Sequence, residues 1–300
     1  IRKYQWVATP LALHGVVVRA DGSTVNVTIG EDEGDPVLYI NDILPHLGKE
    51  SDKKPLGEAI AGEKLNLLIG SRPIADEPDG IKLNVLSILN EKYGICEEDF
   101  LTAELCAVPA GNARDAGLDR SMICGYGHDD RVCSYPALTA LFESLDSPHT
   151  MMCILADKEE VGSDGNTGMQ CDLMLDLIDA IAASQGVSGA VVRANSKCLS
   201  ADVSAAYDPN FSEAFEKRNS AMLSAGVVLC KFTGARGKSG TNDAPAEFVA
   251  WVRKILADAG VIWQAGDMGK TDVGGGGTVA KYIAKHNIET VDLGVPVISM

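Results

Sequence analysis

Three features are missing from this 300-residue sequence or scarce in it, and each argues against a class of protein. No run of 18 apolar residues occurs, so we expect no transmembrane helix. The eight cysteines include no Cys-x-x-Cys pair, which argues against a zinc finger. Positive charge is scarce, with 26 Lys and Arg against 42 Asp and Glu. The resulting net charge of −16 argues against nucleic acid or an anionic membrane as a partner.

What remains is the composition of a globular protein, with 46% hydrophobic and 23% charged residues. A chain of this length forms one or two domains. Several cysteines, such as Cys153 and Cys230, lie in apolar runs and predict buried free thiols in a reducing compartment, which we expect to be the cytoplasm. The first residues, IRKYQW, do not resemble a signal peptide and lack an initiator Met, so we expect the chain to be a fragment.

The first hundred residues predict a β-rich domain. Apolar runs flank Asp21-Gly22, a dipeptide that is typical of a hairpin turn. Residues 36–47 predict a strand that leads into a short helix or turn. A helical pattern follows at Ile81–Lys92. We therefore predict a separate β-rich module over residues 8–105.

From Asp99 onwards, apolar strands alternate with amphipathic helices. The predicted helices are Val132–Ser144, Met169–Ser184, Ala244–Ala259 and Gly277–His286. The predicted strands are Phe100–Val108, Met151–Asp157, Cys198–Val203, Val227–Thr233, Val261–Gly266 and Thr290–Leu293. This alternation predicts an α/β fold in three layers, a sheet with helices on both faces.

Two adjacent glutamates follow the segment Met151–Asp157, which we predict to be a buried strand. Glu159 and Glu160 precede a glycine turn in the sequence MMCILADKEEVGSD. Paired acids at the end of a strand in an α/β sheet indicate chemistry. The alternative is a solvated helix start that carries acids in its first turn.

Further acids lie at the ends of other predicted elements. Asp129 and Asp130 precede the helix predicted from Val132, and Asp202 follows the apolar segment that begins at Cys198. Carboxylates from three such junctions are typical of a site for divalent cations, in which one carboxylate bridges two ions. The alternative for Asp129 and Asp130 is capping of the helix N-terminus.

Three motifs, GHDDRVCSYPAL, ADKEEVGSDGNTGM and SADVSAAYDPN, occur in this order. With them, the chain resembles the family of aspartyl aminopeptidases and yeast vacuolar aminopeptidase I, which are dizinc exopeptidases. The similarity extends from KYQWVATPLALHG near the start to VDLGVPVISM at the end. It implies a metal-dependent aminopeptidase with two divalent ions, expected to be zinc, with cobalt or manganese as alternatives.

The resemblance gives each acid a role. Asp129 matches the carboxylate that bridges both ions, Glu160 matches a ligand of one ion, and Asp202 matches a ligand of the other. Glu159 matches the general base, which takes a proton from water and passes it to the leaving amine. The peptide bond between Asp129 and Asp130 is expected to be cis.

Two further residues match family positions near the substrate. Lys231 matches a lysine that can pair with an acidic N-terminal residue, and His46 matches a histidine that reaches a neighbouring subunit's active site. The alternatives are an exposed lysine at a strand end and an ordinary loop histidine. The family also places one histidine on each ion, and the histidines of this chain do not match those positions. We therefore expect residues 1–300 alone to be inactive or to bind metal weakly.

The resemblance also implies a domain order and an assembly. Residues 1–7 are expected to belong to a catalytic domain whose start is truncated. Residues 8–105 are expected to be an inserted β-rich dimerisation domain, and residues 106–300 the catalytic α/β metallopeptidase domain. The expected partners are peptide substrates and further copies of the chain, as dimers or a dodecamer. If the insertion were a lid over the substrate, the protein could be a monomer.

Two other functions stay open. A non-catalytic protein could keep the fold with a degraded site, although every acid named above is present. A nucleotide-binding protein could use the glycine run Gly274–Gly277, which precedes a predicted helix, to bind phosphate. Neither GxGxxG nor GK[ST] accompanies that run, which weakens the nucleotide interpretation.

Overall fold

The structure is a computed structural model that describes residues 2–300. It divides into two compact units, the first ending at Tyr126 and the second comprising Gly127–Met300. Helices and sheets are mixed along the chain, as expected for the predicted α/β class. Within the described residues, no helix is long and apolar enough to span a membrane.

The first unit is organised around one long strand. Its strands are β1 (Pro10–Val18), β2 (Thr24–Ile29), β3 (Leu38–Tyr39), β4 (Ala103–Pro109), β5 (Arg114–Ala116) and β6 (Met122–Cys124). Its helices are α1 (Leu56–Ala59) and α2 (Gly80–Tyr93). β1 pairs antiparallel with β2, β3 and β4, and β5 pairs antiparallel with β6. The first unit is therefore rich in β-structure, as predicted.

The hairpin predicted around Asp21-Gly22 is confirmed. Val18 of β1 pairs with Thr24 of β2, and Gly22 has φ of 83°, a conformation that glycine adopts without steric cost. Asp21 Oδ1 accepts hydrogen bonds from the backbone N–H and the hydroxyl of Ser23 at 2.9 and 2.6 Å. The aspartate side chain therefore stabilises the turn that the dipeptide predicts.

The first unit extends beyond residues 8–105 at both ends. β4 pairs with β1 from Val17↔Ala103 to Leu11↔Pro109, so a boundary at residue 105 would fall inside a strand. Before residue 8, Trp6 packs on the cluster that contains Leu11, and its indole N–H donates to the carbonyl of Ala107 at 2.9 Å. Sheet pairing and this packing set the extent of the unit, and neither is visible as a change in composition.

The second unit contains the remaining elements. Its helices are α3 (His128–Glu143), α4 (Leu173–Ser184), α5 (Gly189–Ala194), α6 (Ala246–Asp258) and α7 (Ala280–Ala284). Its strands are β7 (Lys197–Ser200), β8 (Ser204–Ala205), β9 (Val227–Cys230), β10 (Trp263–Ala265), β11 (Glu289–Gly294) and β12 (Pro296–Val297). The main sheet has the order β10-β9-β11-β7. β11 is parallel to β7 and antiparallel to β9, so the sheet is mixed.

Two apolar clusters form most of the core of the second unit. Phe248 and Val252 of α6 pack against Leu229 of β9 and Val291 of β11. α4, α7 and β7 contribute to a second cluster, whose buried or partly buried members include Met174, Ile283, Ile288 and Cys198. Burial of apolar side chains on this scale supplies most of the driving force for folding. This packing fixes the positions of β7, β9 and β11. The chain that follows β7 carries part of the site described below.

The buried strand predicted at Met151–Asp157 is wrong. Residues 151–156 form no strand, and Asp157 makes a single β-bridge, to Gly168. Met151, Ile154 and Leu155 are 42%, 42% and 57% exposed, so the segment is not buried either. An apolar run becomes a strand only where a neighbour satisfies its N–H and C=O groups, and no described segment pairs with residues 151–156.

The other predicted helices and strands of the second unit exist but are mostly shorter. The helix predicted from Met169 begins at Leu173, and the helix predicted from Gly277 begins at Ala280. Met169 is buried against α4 without joining its helical hydrogen bonds. The apolar pattern therefore starts before the helix does, because a residue can pack against a helix without having helical backbone itself.

Candidate metal centre

Two adjacent aspartates and a third that is distant in the sequence meet in space in the second unit. One ligand oxygen from each of Asp129, Asp130 and Asp202 lies within 4.8 Å of the others, and all three residues are partly buried. Among residues 2–300, these three residues form the one group of at least three carboxylate, histidine or cysteine side chains that is compact enough to hold a metal ion. Asp129 and Asp202 were predicted as ligands, whereas Asp130 was not.

The start of α3 explains why two adjacent aspartates can face one point. Asp129 and Asp130 have non-helical backbone angles, and the peptide bond between them is cis, as expected. The Asp130 carboxylate accepts hydrogen bonds from the N–H and thiol of Cys133 and from the hydroxyl of Ser134. Asp130 therefore caps the regular part of the helix, which was the alternative role for this pair. It also belongs, with Asp129, to the group of carboxylates.

A tight turn presents Glu159 and Glu160. The turn consists of the 3₁₀ helix Glu159–Val161 between two residues with positive φ, Lys158 at 62° and Gly162 at 108°. The N–H of Ser163 donates to the carbonyl of Lys158 at 2.7 Å and closes the turn. Successive side chains on such a turn point in different directions. The two glutamates can therefore have different neighbours, as their predicted roles require.

Both glutamates reach the aspartates. The side chains of Glu160 and Asp129 share a hydrogen bond, and the charge of Glu159 acts on Asp129 and Asp202. Glu160 is not one of the three closest ligands, so the structure groups it with Asp129 without placing it in the compact triplet. Four predicted site residues, Asp129, Glu159, Glu160 and Asp202, are therefore brought together.

Asp202 is held in place by the neighbouring strand β11. It follows β7 after one residue, and its carbonyl oxygen lies against Gly294, where a Cβ atom would be only 1.5 Å away. The N–H of Ser204 donates to the carbonyl of Val295 at 2.8 Å and fixes the following chain. Gly294 therefore permits a backbone approach that no residue with a side chain would allow.

Burial and mutual repulsion perturb the titration of these carboxylates. Burial, the hydrogen bond to Glu160 and the adjacent charges raise the pKa of Asp129 to about 7. Burial, followed by the charges of Asp130, Asp129 and Glu159, raises the pKa of Asp202 to about 8. Burial and the charge of Glu160 also raise the pKa of Glu159. Such a group is unfavourable when fully ionised, unless a cation neutralises it.

The donor set fits a divalent metal ion. Asp130 Oδ1 is buried and has no hydrogen-bond partner among the described residues. Carboxylate oxygens are ligands for zinc as well as for harder divalent cations. A metal ion at this position would satisfy the unpaired oxygen and relieve the repulsion between the aspartates. Asp129, Asp130 and Asp202 are the residues that would hold it, with Glu160 beside Asp129.

We expect the free energy of unfolding of the metal-free protein to fall as the pH rises from about 4 to about 8. The unfolded chain titrates near the ordinary value of 3.8, whereas the folded pKa values of Asp129 and Asp202 are about 7 and about 8. The folded state therefore binds more protons in this range, and stability is lost as the pH passes through the folded values. For Asp202 alone, the slope is at most about 1.4 kcal/mol per pH unit.

Urea unfolding at pH 5, 6, 7 and 8 in the presence of a chelator measures this effect. Asp202→Asn should flatten the dependence, because the residue with the larger shift no longer titrates. A stability of the wild type that is constant or rises over this range, after correction for other groups, would contradict the described electrostatics.

Lys231 has a carboxylate partner outside the metal group, and His46 belongs to the first unit. Lys231 Nζ pairs with Asp243 Oδ1, and Lys238 Nζ binds the other oxygen of Asp243 at 2.6 Å. His46 is exposed in the 3₁₀ helix Pro45–Leu47 of the first unit. The lysine whose charge acts on Glu159 is instead Lys281 of α7, which sequence reasoning missed. No local sequence signal marks it, because its proximity to Glu159 arises from tertiary packing.

Close packing explains the glycine run. A Cβ atom at Gly274 would lie 2.4 Å from the carbonyl oxygen of Met268, and one at Gly275 would lie 2.1 Å from that of Gly234. The space between these segments is about 20 Å³, which is room for about one water molecule. The glycines are therefore accounted for by backbone contacts, and the nucleotide alternative gains no support.

The chain is similar to a known protein family and to individual members of it. A family model described as "Aminopeptidase I zinc metalloprotease (M18)" matches residues 1–300. A probable M18 family aminopeptidase 1 of Clostridium acetobutylicum is 49% identical over 306 residues, which cover 100% of this chain and 66% of that protein. The aspartyl aminopeptidase of Caenorhabditis elegans is 26% identical over 321 residues, covering 98% of this chain and 66% of that protein. The chain therefore spans about two thirds of the length of these relatives.

Solved structures agree with the sequence comparison. The crystal structure of aminopeptidase I from Clostridium acetobutylicum matches with a TM-score of 0.91 and 49% identity, over 98% of this chain and 65% of that one. The M18 aminopeptidase from Thermotoga maritima matches with a TM-score of 0.90 and 42% identity, over 100% of this chain and 67% of that one. Yeast aminopeptidase 1, at 19% identity and a TM-score of 0.72, shares the fold over 100% of this chain and 65% of that one. The chain belongs to the M18 family of aminopeptidase I zinc metalloproteases.

Proposed function

We propose that the protein carrying this chain is a metal-dependent aminopeptidase that removes single residues from peptide N-termini. The observation that carries this proposal is the meeting of Asp129, Asp130 and Asp202 beside Glu159 and Glu160, in a chain of the M18 family. A dense negative site suits the protonated α-amine that marks a peptide N-terminus. Two divalent ions, zinc in the first place and cobalt or manganese as alternatives, complete the proposed site.

Bound divalent ions polarise a peptide carbonyl and lower the pKa of a water molecule. The chain's own residues hold the site and move the proton. Asp129 has two carboxylate oxygens and could ligate two ions, and Glu160 and Asp202 would each hold one of them. Glu159 takes a proton from water and delivers it to the leaving amine nitrogen. Burial and the charge of Glu160 raise its pKa, which makes Glu159 a stronger base than an ordinary glutamate.

The preferred N-terminal residue depends on Lys231 in this proposal. In the structure its ammonium group is already paired with Asp243. An acidic substrate side chain has to compete with that carboxylate for the lysine, whereas a neutral side chain does not. Assays should therefore compare Leu-p-nitroanilide with Asp-p-nitroanilide, and both outcomes are compatible with an aminopeptidase.

We also propose that the protein forms homo-oligomers in a reducing compartment such as the cytoplasm. The eight cysteines, all within the described residues, are free thiols, which suits that compartment. One structural neighbour at 21% identity is described as a dodecamer of yeast mApe1. Residues 8–105 are the proposed dimerisation region, and a substrate lid is the alternative. Size-exclusion chromatography with light scattering on the full-length protein distinguishes an oligomer from a monomer.

Metal analysis combined with an activity assay tests the proposed function. We expect the full-length protein to be purified with bound divalent metal and to release p-nitroaniline from at least one of the two substrates. Dialysis against a chelator should abolish turnover, and zinc, cobalt or manganese should restore it. A full-length protein that binds no metal and turns over neither substrate would refute the proposal. Phosphate density at Gly274–Gly277 without metal at Asp129 would favour the nucleotide alternative.

A further inference from the structure

A second group of buried polar side chains lies on the three central strands. Asp292 of β11 pairs in register with Ser200 of β7 and with Cys230 of β9, so the three residues lie side by side. Val291 packs against α6, so the alternation of side chains directs Asp292 to the opposite face of the sheet. Asp292, Ser200 and Cys230 are only 5%, 3% and 7% exposed.

Asp292 is incompletely satisfied. The hydroxyl of Thr278 interacts with its carboxylate, whereas Asp292 Oδ1 and the hydroxyl of Ser200 are both buried and have no hydrogen-bond partner among the described residues. An unpaired, buried carboxylate oxygen destabilises a folded protein. Its presence in an otherwise well-packed strand is therefore unexplained by folding alone.

A small cavity connects Asp292 with the carboxylate site. Its volume is about 10 Å³, and its lining includes Asp202, Asp292, Ser204, Thr278 and Gly294. This volume accommodates about one water molecule, and the lining supplies the polar partners that a buried water needs. Asp202 therefore faces the metal site and also lines the cavity that Asp292 enters.

We propose that Asp292 is a positioning residue for the metal site, which orients Asp202 through one ordered water molecule in this cavity. The inference rests on the proposed function, because it assigns a role to a residue behind one of the proposed ligands. Hydrogen-bonded groups behind a ligating carboxylate fix its orientation, and the negative charge of Asp292 adds to the attraction for a cation. The stability that the buried charge of Asp292 costs is thereby exchanged for affinity for metal.

The test compares zinc affinity with the stability of the metal-free protein. In the full-length protein, D292N keeps the side-chain shape and removes the charge. Isothermal titration with zinc chloride should show an affinity lowered by about 10- to 100-fold. Urea unfolding in a chelator should show a midpoint equal to or higher than that of the wild type, because a buried charge has been removed. D258N, on the exposed face of α6, should leave both properties unchanged.

Several outcomes overturn the proposal. Zinc affinity of D292N within twofold of the wild type would do so, as would a loss of affinity that is accompanied by a lowered unfolding midpoint, since that indicates a structural role. If D292N does not fold, that result also counts as a structural role. A high-resolution structure of the wild type should show water bonded to Asp292 Oδ1, and an empty cavity would refute the inference. A wild type that binds no zinc would instead refute the proposed function.

Discussion

Glu159→Gln should reduce turnover of either p-nitroanilide substrate by about 10²- to 10⁴-fold and leave the metal content unchanged. Glutamine has nearly the same shape as glutamate but cannot accept the proton from water. Glu159 is partly buried, and the residues that group most tightly around the proposed ion are Asp129, Asp130 and Asp202. Loss of the base should therefore slow the chemical step without releasing the ion.

Asp129→Asn provides the contrast to Glu159→Gln. Asp129 is the proposed bridge between two ions and shares a hydrogen bond with Glu160. An amide has one oxygen to offer and carries no charge, so this variant should lose both metal and turnover. Metal analysis and steady-state kinetics on the two variants separate the base from the ligand.

Glu213→Gln is a matched control, because Glu213 is exposed in the 3₁₀ helix Pro209–Ala214. It should retain wild-type turnover and metal content. Near-wild-type rates for Glu159→Gln would show that the assigned base is wrong. Loss of metal from Glu159→Gln would mean that Glu159 acts as a ligand.

Gly294→Ala should damage the metal site without touching any of its charged residues. The new Cβ atom would lie 1.5 Å from the carbonyl oxygen of Asp202 and 2.7 Å from the carbonyl carbon. Both are backbone atoms, so the clash can be relieved only if the chain at residue 202 or β11 moves. We expect destabilisation of about 3 kcal/mol or more and a large loss of zinc affinity, because a ligand is displaced from the group.

Urea unfolding and zinc titration measure the two effects of Gly294→Ala. Gly34→Ala is the control, because a Cβ atom at Gly34 would meet nothing within 4 Å and its backbone does not need a glycine-specific φ. It should change neither stability nor zinc affinity appreciably. Wild-type zinc affinity of Gly294→Ala would contradict the described packing of Asp202 against β11.

Part of the candidate site can be predicted from the sequence. Asp129 and Asp202 stand at junctions between elements, where backbones turn and side chains converge, and motif order linked them to Glu159 and Glu160. Asp130 was not predicted as a ligand, because a motif cannot show that a carboxylate able to cap a helix keeps one oxygen free for another partner. Its second oxygen became apparent only from its burial in three dimensions.

Other features depend on contacts between residues that are distant in the sequence. In the sequence, nothing distinguishes Asp292 from the other polar residues of its strand. Its proposed role follows from the pairing of its strand, which places it beside Ser200 and Cys230. Lys281 reads as a surface residue of a short helix, and its proximity to Glu159 arises from the packing of α7. Neither relation has a local sequence signal.

The fold was predicted best where local sequence determines structure. The Asp21-Gly22 turn specifies the first hairpin, because its residues satisfy both the backbone conformation and the hydrogen bonds of the turn. The segment Met151–Asp157 failed for the opposite reason. Its apolar residues favour a strand, but strand formation requires a partner that local sequence cannot reveal.

We propose that Asp129 and Asp202 together hold a metal ion. Crystals of the full-length protein, grown with zinc and measured on both sides of the zinc absorption edge, test it directly. We predict an anomalous peak within ligand distance, about 2.0–2.2 Å, of carboxylate oxygens from both residues. Crystals with zinc peaks elsewhere and none between Asp129 and Asp202 would contradict the account.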